Sequence, residues 1–337
     1  MEPLVSIVMP FRNAASSLAA ALSSISAQSL ARWELVAIDD GSADDGPHMV
    51  AAAAAQDPRV RLIASRGRGI VAALNAGCAA ATTPLIARMD ADDVMRPTRL
   101  ERQLALLDHA PGIGVASCLV AHGGDRTRQG GFAAHVEWTN AQVDAASIHR
   151  SRFVDSPVPH PSVVFRRELL DRHGGYAEGA FPEDYELWLR WMEAGVRFAK
   201  VPEVLLVWND RPERLSRTDE RYSVERLFAT KCRYLAADRR RCRDPRAVWL
   251  WGAGRVTRRR FDPLAEHGVE VAGYIDIDPR KVGQRVAGRP VVPPTALPPR
   301  DESFVIAGVG VRGARDLVRP QLLADGRVEE RDFVVAA

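Results

Sequence analysis

Three aspartates occupy four positions at Asp90-Ala91-Asp92-Asp93, directly behind the apolar run Leu85-Ile86-Ala87. Like charges this close repel, and solubility asks for no more than one acid in a loop. Alternate residues of an extended segment point the same way. Asp90 and Asp92 can therefore face one site, with Asp93 turned aside as support. Hard carboxylate oxygens suit Mg²⁺ or Mn²⁺. A cation held by one or two carboxylates completes its shell with water and phosphate oxygens. The chemistry on offer is a divalent cation that in turn holds a diphosphate. Taken alone, the tetrad fits equally well an acidic turn ahead of a helix, where Asp favours the dipole.

Other residues could share that chemistry. Asp39 and Asp40 follow the run "WELVAID", Phe11-Arg12-Asn13 follow "LVSIVMP", and Glu183-Asp184 open the stretch "PEDYELWLRWMEAG". A carboxylate within reach of a hydroxyl can take its proton. The dipole at a helix start predicts an ionised Asp184.

The elements that must position these residues are legible in the first hundred positions. Short β-branched runs ("LVSIVMP", "WELVAID", "VRLIA", "PLIARMD") alternate with segments of helical spacing, such as the one that puts Leu18, Leu22 and Ile25 on one face. Alternation of this kind means βαβ units and a parallel sheet. The sets at 11–13, 39–40 and 90–93 then fall at the carboxyl ends of strands, the edge where open parallel sheets bind ligands.

Further along, "PTRLERQLALLDHAPG" reads as a helix, "GVASCLVAH" and "SVVF" as strands, and residues 122–150 as a loop with a short helix. "RYSVERLFATKCRYLAADRR" reads as an amphipathic helix bridging two domains. At Ala247 the strand–helix pattern restarts and runs for roughly ninety residues, a normal domain size. The expected division is 1–218, a helical linker 219–245, and 246–337.

The 337 residues suit about two domains at ~100–200 residues each. A hydrophobic content of 46% and a charged content of 26% are ordinary for a globular chain. A net charge of +3 supplies no bulk cation field of the kind nucleic acid requires. The arginines crowd between Arg211 and Arg260, which suits either a solvated helix end plus linker or a surface for anionic lipid or a phosphorylated acceptor. Cys78, Cys118, Cys232 and Cys242 form no CxxC pair, so reduced thiols are expected. "MEPLVSIVMP" does not read as a signal peptide, and no window approaches ~20 uninterrupted apolar residues.

Four ordered pieces ("VSIVMPFRN", "LSSISAQSLARWELVAIDDGSADD", "GRGIVAALNAGCAAATTPLIARMDADDVMRP" and "FPEDYELWLR") together resemble the family 2 glycosyltransferases of the GT-A fold, over about residues 4–218. The resemblance implies a mostly parallel α/β sheet, a nucleotide-sugar donor, Mn²⁺ or Mg²⁺, and inverting transfer to a hydroxyl. By the same resemblance, Pro10 and Arg12 line the nucleotide pocket, Asp39 contacts the base, typically uracil, and Arg68 reaches the base as well. Asp90 falls near ribose and metal, Asp92 is the metal ligand proper, and Asp184 is the catalytic base with Glu183 beside the acceptor. His160, between prolines in "PVPHPSVVF", is a candidate for holding acceptor or phosphate, or a turn histidine without a role. In "RPERLSRT", Arg214 and Arg217 are candidates for cationic contact with the diphosphate.

The C-terminal stretch offers Gly252-Ala253-Gly254 after a strand, with Asp276 about twenty residues on, the spacing of a dinucleotide fingerprint. Thr257 stands where the third glycine belongs. The stretch resembles the small Rossmann-like domain of some sugar acyltransferases, and docking is the favoured role. The expectation is thus an enzyme of the cytoplasm, peripheral to the inner face of the membrane through its basic 211–260 region. Its partners are a nucleotide sugar and a glycan or lipid-linked acceptor of bacterial surface polysaccharide. The rivals are a non-catalytic nucleotide-sugar-binding scaffold and a sugar-1-phosphate nucleotidyltransferase. The loop "PFRNAASS" argues against the latter, which carries a glycine-rich Arg- and Lys-containing loop there.

Overall fold

The computed structural model describes residues 2–126, 129–211, 214–311 and 313–337. They form two compact units: Met1–His149 with Val158–Gly179 and Glu183–Thr218, and Arg150–Pro157 with Ala180–Pro182 and Asp219–Ala337.

The first unit opens with β1 (Val5–Phe11), α1 (Ala15–Ser26), β2 (Trp33–Asp39), α2 (Gly46–Gln56), β3 (Val60–Ala64), α3 (Ile70–Ala80) and β4 (Leu85–Arg88). There follow β5 (Val94–Met95), α4 (Arg99–His109), β6 (Ile113–Gly123), α5 (Gly130–Asn140), α6 (Ala145–Ser151) and β7 (Val164–Arg166). The chain continues through α7 (Glu168–His173), α8 (Glu183–Glu193), β8 (Arg197–Asn209) and α9 (Leu215–Thr218). Among the described residues the strands make an eight-stranded sheet ordered β3-β2-β1-β4-β7-β6-β8-β5. β3, β2, β1 and β4 are parallel, as are β6 and β8; β7 is antiparallel to both its neighbours and β5 to β8.

β1 and β2 are apolar on both faces because both faces are covered, as expected of central parallel strands. Ile7, Met9, Leu35 and Ala37 enter one core; Val8, Val36 and Ile38 enter the other. Helix α3 lies close against this sheet because it carries Gly77. A Cβ there would stand 2.5 Å from Ile38 Cδ1 and 2.6 Å from Val8 Cγ1.

Two elements depart from the sequence reading. Residues 122–150 hold two helices, α5 and α6, instead of a loop and one short helix. The glycines that suggested a loop stand at the start of α5. The 13-residue strand β8 was not anticipated, since Pro202 demotes a run to edge or non-strand. The sheet accommodates it with a register shift, where Cys118 and Leu119 pair with Val201 and Val204.

The second unit contains α10 (Val224–Cys242), β9 (Ala247–Trp251), α11 (Arg255–Phe261), β10 (Val271–Ile275), β11 (Arg285–Val286), β12 (Arg289–Val292), β13 (Ser303–Ala307), α12 (Ala314–Ala324) and β14 (Phe333–Val335). Its sheet runs β11-β12-β10-β9-β13-β14, parallel except for the β11–β12 hairpin. The segment 219–245, read from sequence as a linker, groups with this unit. The physical reason is burial: α10 hides Phe228, Cys232 and Leu235, and Phe228 meets Phe261 edge-on at 5.3 Å. No helix among the described residues is long and apolar enough to cross a membrane.

Candidate active site

The acids behind β4 do not continue as an extended strand. The Asp93 N–H donates to Asp90 O at 3.3 Å, closing a turn. That turn brings Asp93 back beside its neighbours, so it is not turned aside. Carboxylate oxygens of Asp90, Asp92 and Asp93 all lie within 4.8 Å of one another. The unanticipated β8 fixes the turn. The Asn209 N–H donates to Asp93 Oδ1 at 2.8 Å, and Asn209 Nδ2 donates to Asp92 O at 2.6 Å.

The cluster is electrostatically uncomfortable. Burial, then Asp90, pushes the Asp92 carboxyl up to about 6, against the opposing pull of Arg214 and Arg211. Asp93 is raised too, by burial and by both neighbouring acids. Its Oδ2 is buried without a hydrogen-bond partner. Three crowded oxygen donors with one unsatisfied buried oxygen fit a hard divalent cation, which would relieve their repulsion.

Arg88 ends β4 and is buried, with Nη1 2.6 Å from Asp90 Oδ1. Burial opposes its charge, and Asp90, Tyr176 and Asp93 outweigh that opposition. Arg88 also acts on Asp184. The Arg88 guanidinium thus pairs with the acidic turn and acts electrostatically on the start of α8. Asp184 corrects the sequence expectation of an ionised helix-start acid. Burial and then Glu183 push it up to about 7, although the Tyr185 N–H donates to Oδ1 at 2.7 Å. The dipole of one helix end is weaker than a buried site shared with a second carboxylate.

Behind this pair, His160 is buried, with Nε2 2.8 Å from the Tyr176 hydroxyl and its ring edge-on to Trp188 at 5.9 Å. Burial, then Arg88, holds it well below the usual imidazole range. One ring nitrogen is taken by Tyr176 and the ring packs on Trp188.

On the neighbouring strand ends, Pro10 is buried and Arg12 and Arg68 are exposed. Asp39 Oδ1 accepts the Ser42 N–H at 2.9 Å. Asp40, named with Asp39 at this strand end but given no role of its own, accepts the Gly69 N–H on both oxygens at 2.9 and 3.0 Å. Gly69 has φ +95°, a conformation glycine adopts without penalty. Asp40 thereby fixes the loop that carries Arg68. On the far side of the acids, the Arg214 guanidinium lies over the Phe132 and Trp208 rings, at 4.7 and 4.9 Å. Arg217 bonds Asp210 and so is partly engaged. Pro212 and Glu213 of the quoted motif lie outside the described residues.

Sequence reasoning passed over Arg88, Asn209 and Arg211. Arg88 had a signal, a lone cation closing the buried run "PLIAR". Asn209 had none, because it depends on a strand brought in from over a hundred positions away, while Arg211 was passed over inside the basic stretch that offered Arg214 and Arg217.

The first unit is of the GT-A glycosyltransferase class. Its fold is similar to the crystal structure of S. aureus TarS 1-349 in complex with UDP-GlcNAc, at TM-score 0.54 and 15% identity, covering 69% of this chain and 66% of that one. The model of glycosyl transferase family 2 matches residues 6–174, and the chain belongs to that family. It is 30% identical to the amylovoran biosynthesis glycosyltransferase AmsE of Erwinia amylovora over 55% of this chain and 67% of that protein. It is 28% identical to the succinoglycan biosynthesis protein ExoU of Rhizobium meliloti (strain 1021), over 87% of this chain and 84% of that protein.

Proposed function

We propose that the protein moves a sugar from a UDP-sugar to a hydroxyl of a glycan or lipid-linked acceptor, with inversion, in bacterial surface polysaccharide synthesis. Relatives named for amylovoran and succinoglycan biosynthesis support the pathway class. The observation that carries the reading is the buried Arg88, which pairs with the acidic turn and acts electrostatically on Asp184.

In this reading Asp90 and Asp92 hold Mn²⁺ or Mg²⁺, and Asp93 supports them through Asn209. The bound cation supplies Lewis-acid stabilisation of the leaving diphosphate. Arg214, with Arg217 beside it, adds positive charge on the diphosphate side. Pro10, Arg12, Asp39 and Arg68 line the nucleoside end of the same sheet edge. Asp184 accepts the acceptor's hydroxyl proton as that oxygen attacks the anomeric carbon from the face opposite the diphosphate. A carboxyl near 7 is matched to proton transfer at neutral pH. Glu183 raises that pKa and borders the acceptor. The second unit is a docking module, and the chain works at the cytoplasmic face of the membrane through the basic 211–260 region.

A thermal-shift screen of nucleotide sugars with and without Mn²⁺ tests this, because a ligand of the native state raises apparent stability with ln(1 + [L]/Kd). UDP-sugars should raise the melting temperature more with Mn²⁺, and Asp92→Asn should lose that increment while staying folded. UDP binding indifferent to EDTA would remove the metal assignment. Donor binding without any transfer or donor hydrolysis would favour the scaffold reading.

A further inference from the structure

We infer that the carboxyl edge of the second sheet is a docking surface for an anionic lipid bilayer. This deepens the peripheral membrane contact proposed above and does not depend on the transfer chemistry.

The strands β10, β9 and β13 are adjacent and parallel. Their carboxyl ends therefore sit side by side at ~4.8 Å spacing. The Gly252 N–H donates to Ile275 O at 2.8 Å and the Gly308 N–H to Trp251 O at 3.1 Å, so the three exits are held together. Each exit presents a large aliphatic side chain to solvent. Val256 follows β9 and is 63% exposed, Ile277 follows β10 at 75%, and Val311 follows β13 at 71%. Leu317, in the first turn of α12, is 74% exposed. These are the most exposed large hydrophobics among the described residues, and they share one edge. Exposed apolar groups gathered this way mark an interaction surface.

The charge around them selects the partner. The described residues of segments 252–260, 276–281 and 308–316 include seven arginines and lysines against three aspartates. The whole chain nets only +3, so this edge holds a concentrated positive field. Lys281 and Arg280 are engaged by Asp276 at 2.9 Å and Asp278 at 3.1 Å, so the excess of positive charge is carried by the remaining arginines. Arg255 is exposed, and Arg259 is 75% exposed with a loose 3.9 Å approach to Glu225. A bare aliphatic tip on each of several loops, ringed by arginine, matches a headgroup layer. Aliphatic groups enter the acyl boundary while cations meet anionic lipid. A protein partner is favoured instead by a groove with aromatic anchors, and no aromatic residue lies in the three segments.

The test is co-sedimentation of the full chain, without donor or metal, with phosphatidylcholine vesicles and with phosphatidylglycerol-rich vesicles. The protein should sediment with the anionic vesicles only, and added salt should release it, because screening weakens the charge term. Ile277→Ser/Val311→Ser should lower the bound fraction several-fold with an unchanged melting temperature, since both side chains already face water. Arg255→Glu/Arg259→Glu should remove the preference for anionic lipid. The inference is overturned if the wild-type chain ignores both vesicle types, or if the serine pair binds as the wild type does. It is equally overturned if the edge proves to be a self-association surface. In that outcome the chain sediments as a dimer in the ultracentrifuge and the serine pair becomes monomeric. None of these results touches the sugar-transfer reading, which is read from donor binding and turnover.

Discussion

Asp92 and Asp276 stand in corresponding places, each just past the carboxyl end of a parallel strand, one in each unit. Asp92 sits among like charges, and burial and Asp90 push it up to about 6. Burial also works against Asp276, yet hydrogen bonds from the Asp278 N–H, Lys281 and the Ala253 N–H outweigh it and hold the carboxyl low. The second edge has spent its acid on its own loops. The first edge leaves its acids crowded, with Asp93 Oδ2 unsatisfied. Like positions at a sheet edge thus hold a carboxylate satisfied by its own loops in one unit and mutually repelling carboxylates in the other. The sign of the pKa shift distinguishes the two where residue type and position do not.

Several substitutions break or sharpen that contrast. The largest effect is expected at Asp184. Asp184→Asn keeps the shape but cannot take a proton, so transfer should slow by about 10²–10⁴-fold with donor affinity unchanged. Steady-state kinetics with the matched acceptor measure this. Near wild-type transfer by Asp184→Asn, alongside a dead Glu183→Gln, would mean that the two acids have exchanged roles.

A smaller effect separates the two edges by stability. Asp276→Ala strips the partner from two backbone N–H groups and Lys281, at a cost of about 1–3 kcal/mol. Asp92→Asn removes a repelling charge and should leave the metal-free melting temperature unchanged or higher. Urea denaturation of the two variants compares them directly. Destabilisation by Asp92→Asn as large as that by Asp276→Ala would show the first cluster to be a staple as well.

A further effect is in pH dependence. The Asp184 carboxyl lies at about 7 in the folded chain against an ordinary 3.8. A raised acid favours the folded state in its protonated form. Its contribution is present below about pH 4 and is lost as pH rises through about 7. The stability of Asp184→Asn relative to wild type should therefore rise between those values and level off above them. In the wild type, kcat/KM should climb through the same upper limit as the base ionises. A flat profile from pH 5 to pH 8 would contradict the shift.

The sequence by itself determined the alternation of the first hundred residues, the restart at Ala247, and the placement of the acidic sets at strand ends. Those follow from local periodicity, where hydrophobic spacing dictates the element and the element dictates the edge. It also carried the ordered motifs by which the family is recognised. Only the tertiary structure decided the electrostatic state of the site. Asp184 looked ionised because a helix dipole is a local property, whereas the burial that resets it, aided by Glu183 and opposed by Arg88, comes from long-range packing. His160 looked available because prolines flank it, and Trp188 and Tyr176 then enclosed it. Asp93 looked turned aside until Asn209, 116 positions away, fixed it within the cluster. Pro202 hid β8 from any reading by local propensity, because a register shift against β6 is invisible until both strands are paired. Local pattern fixes which chemical groups reach the sheet edge, and long-range packing sets their charge and their partners.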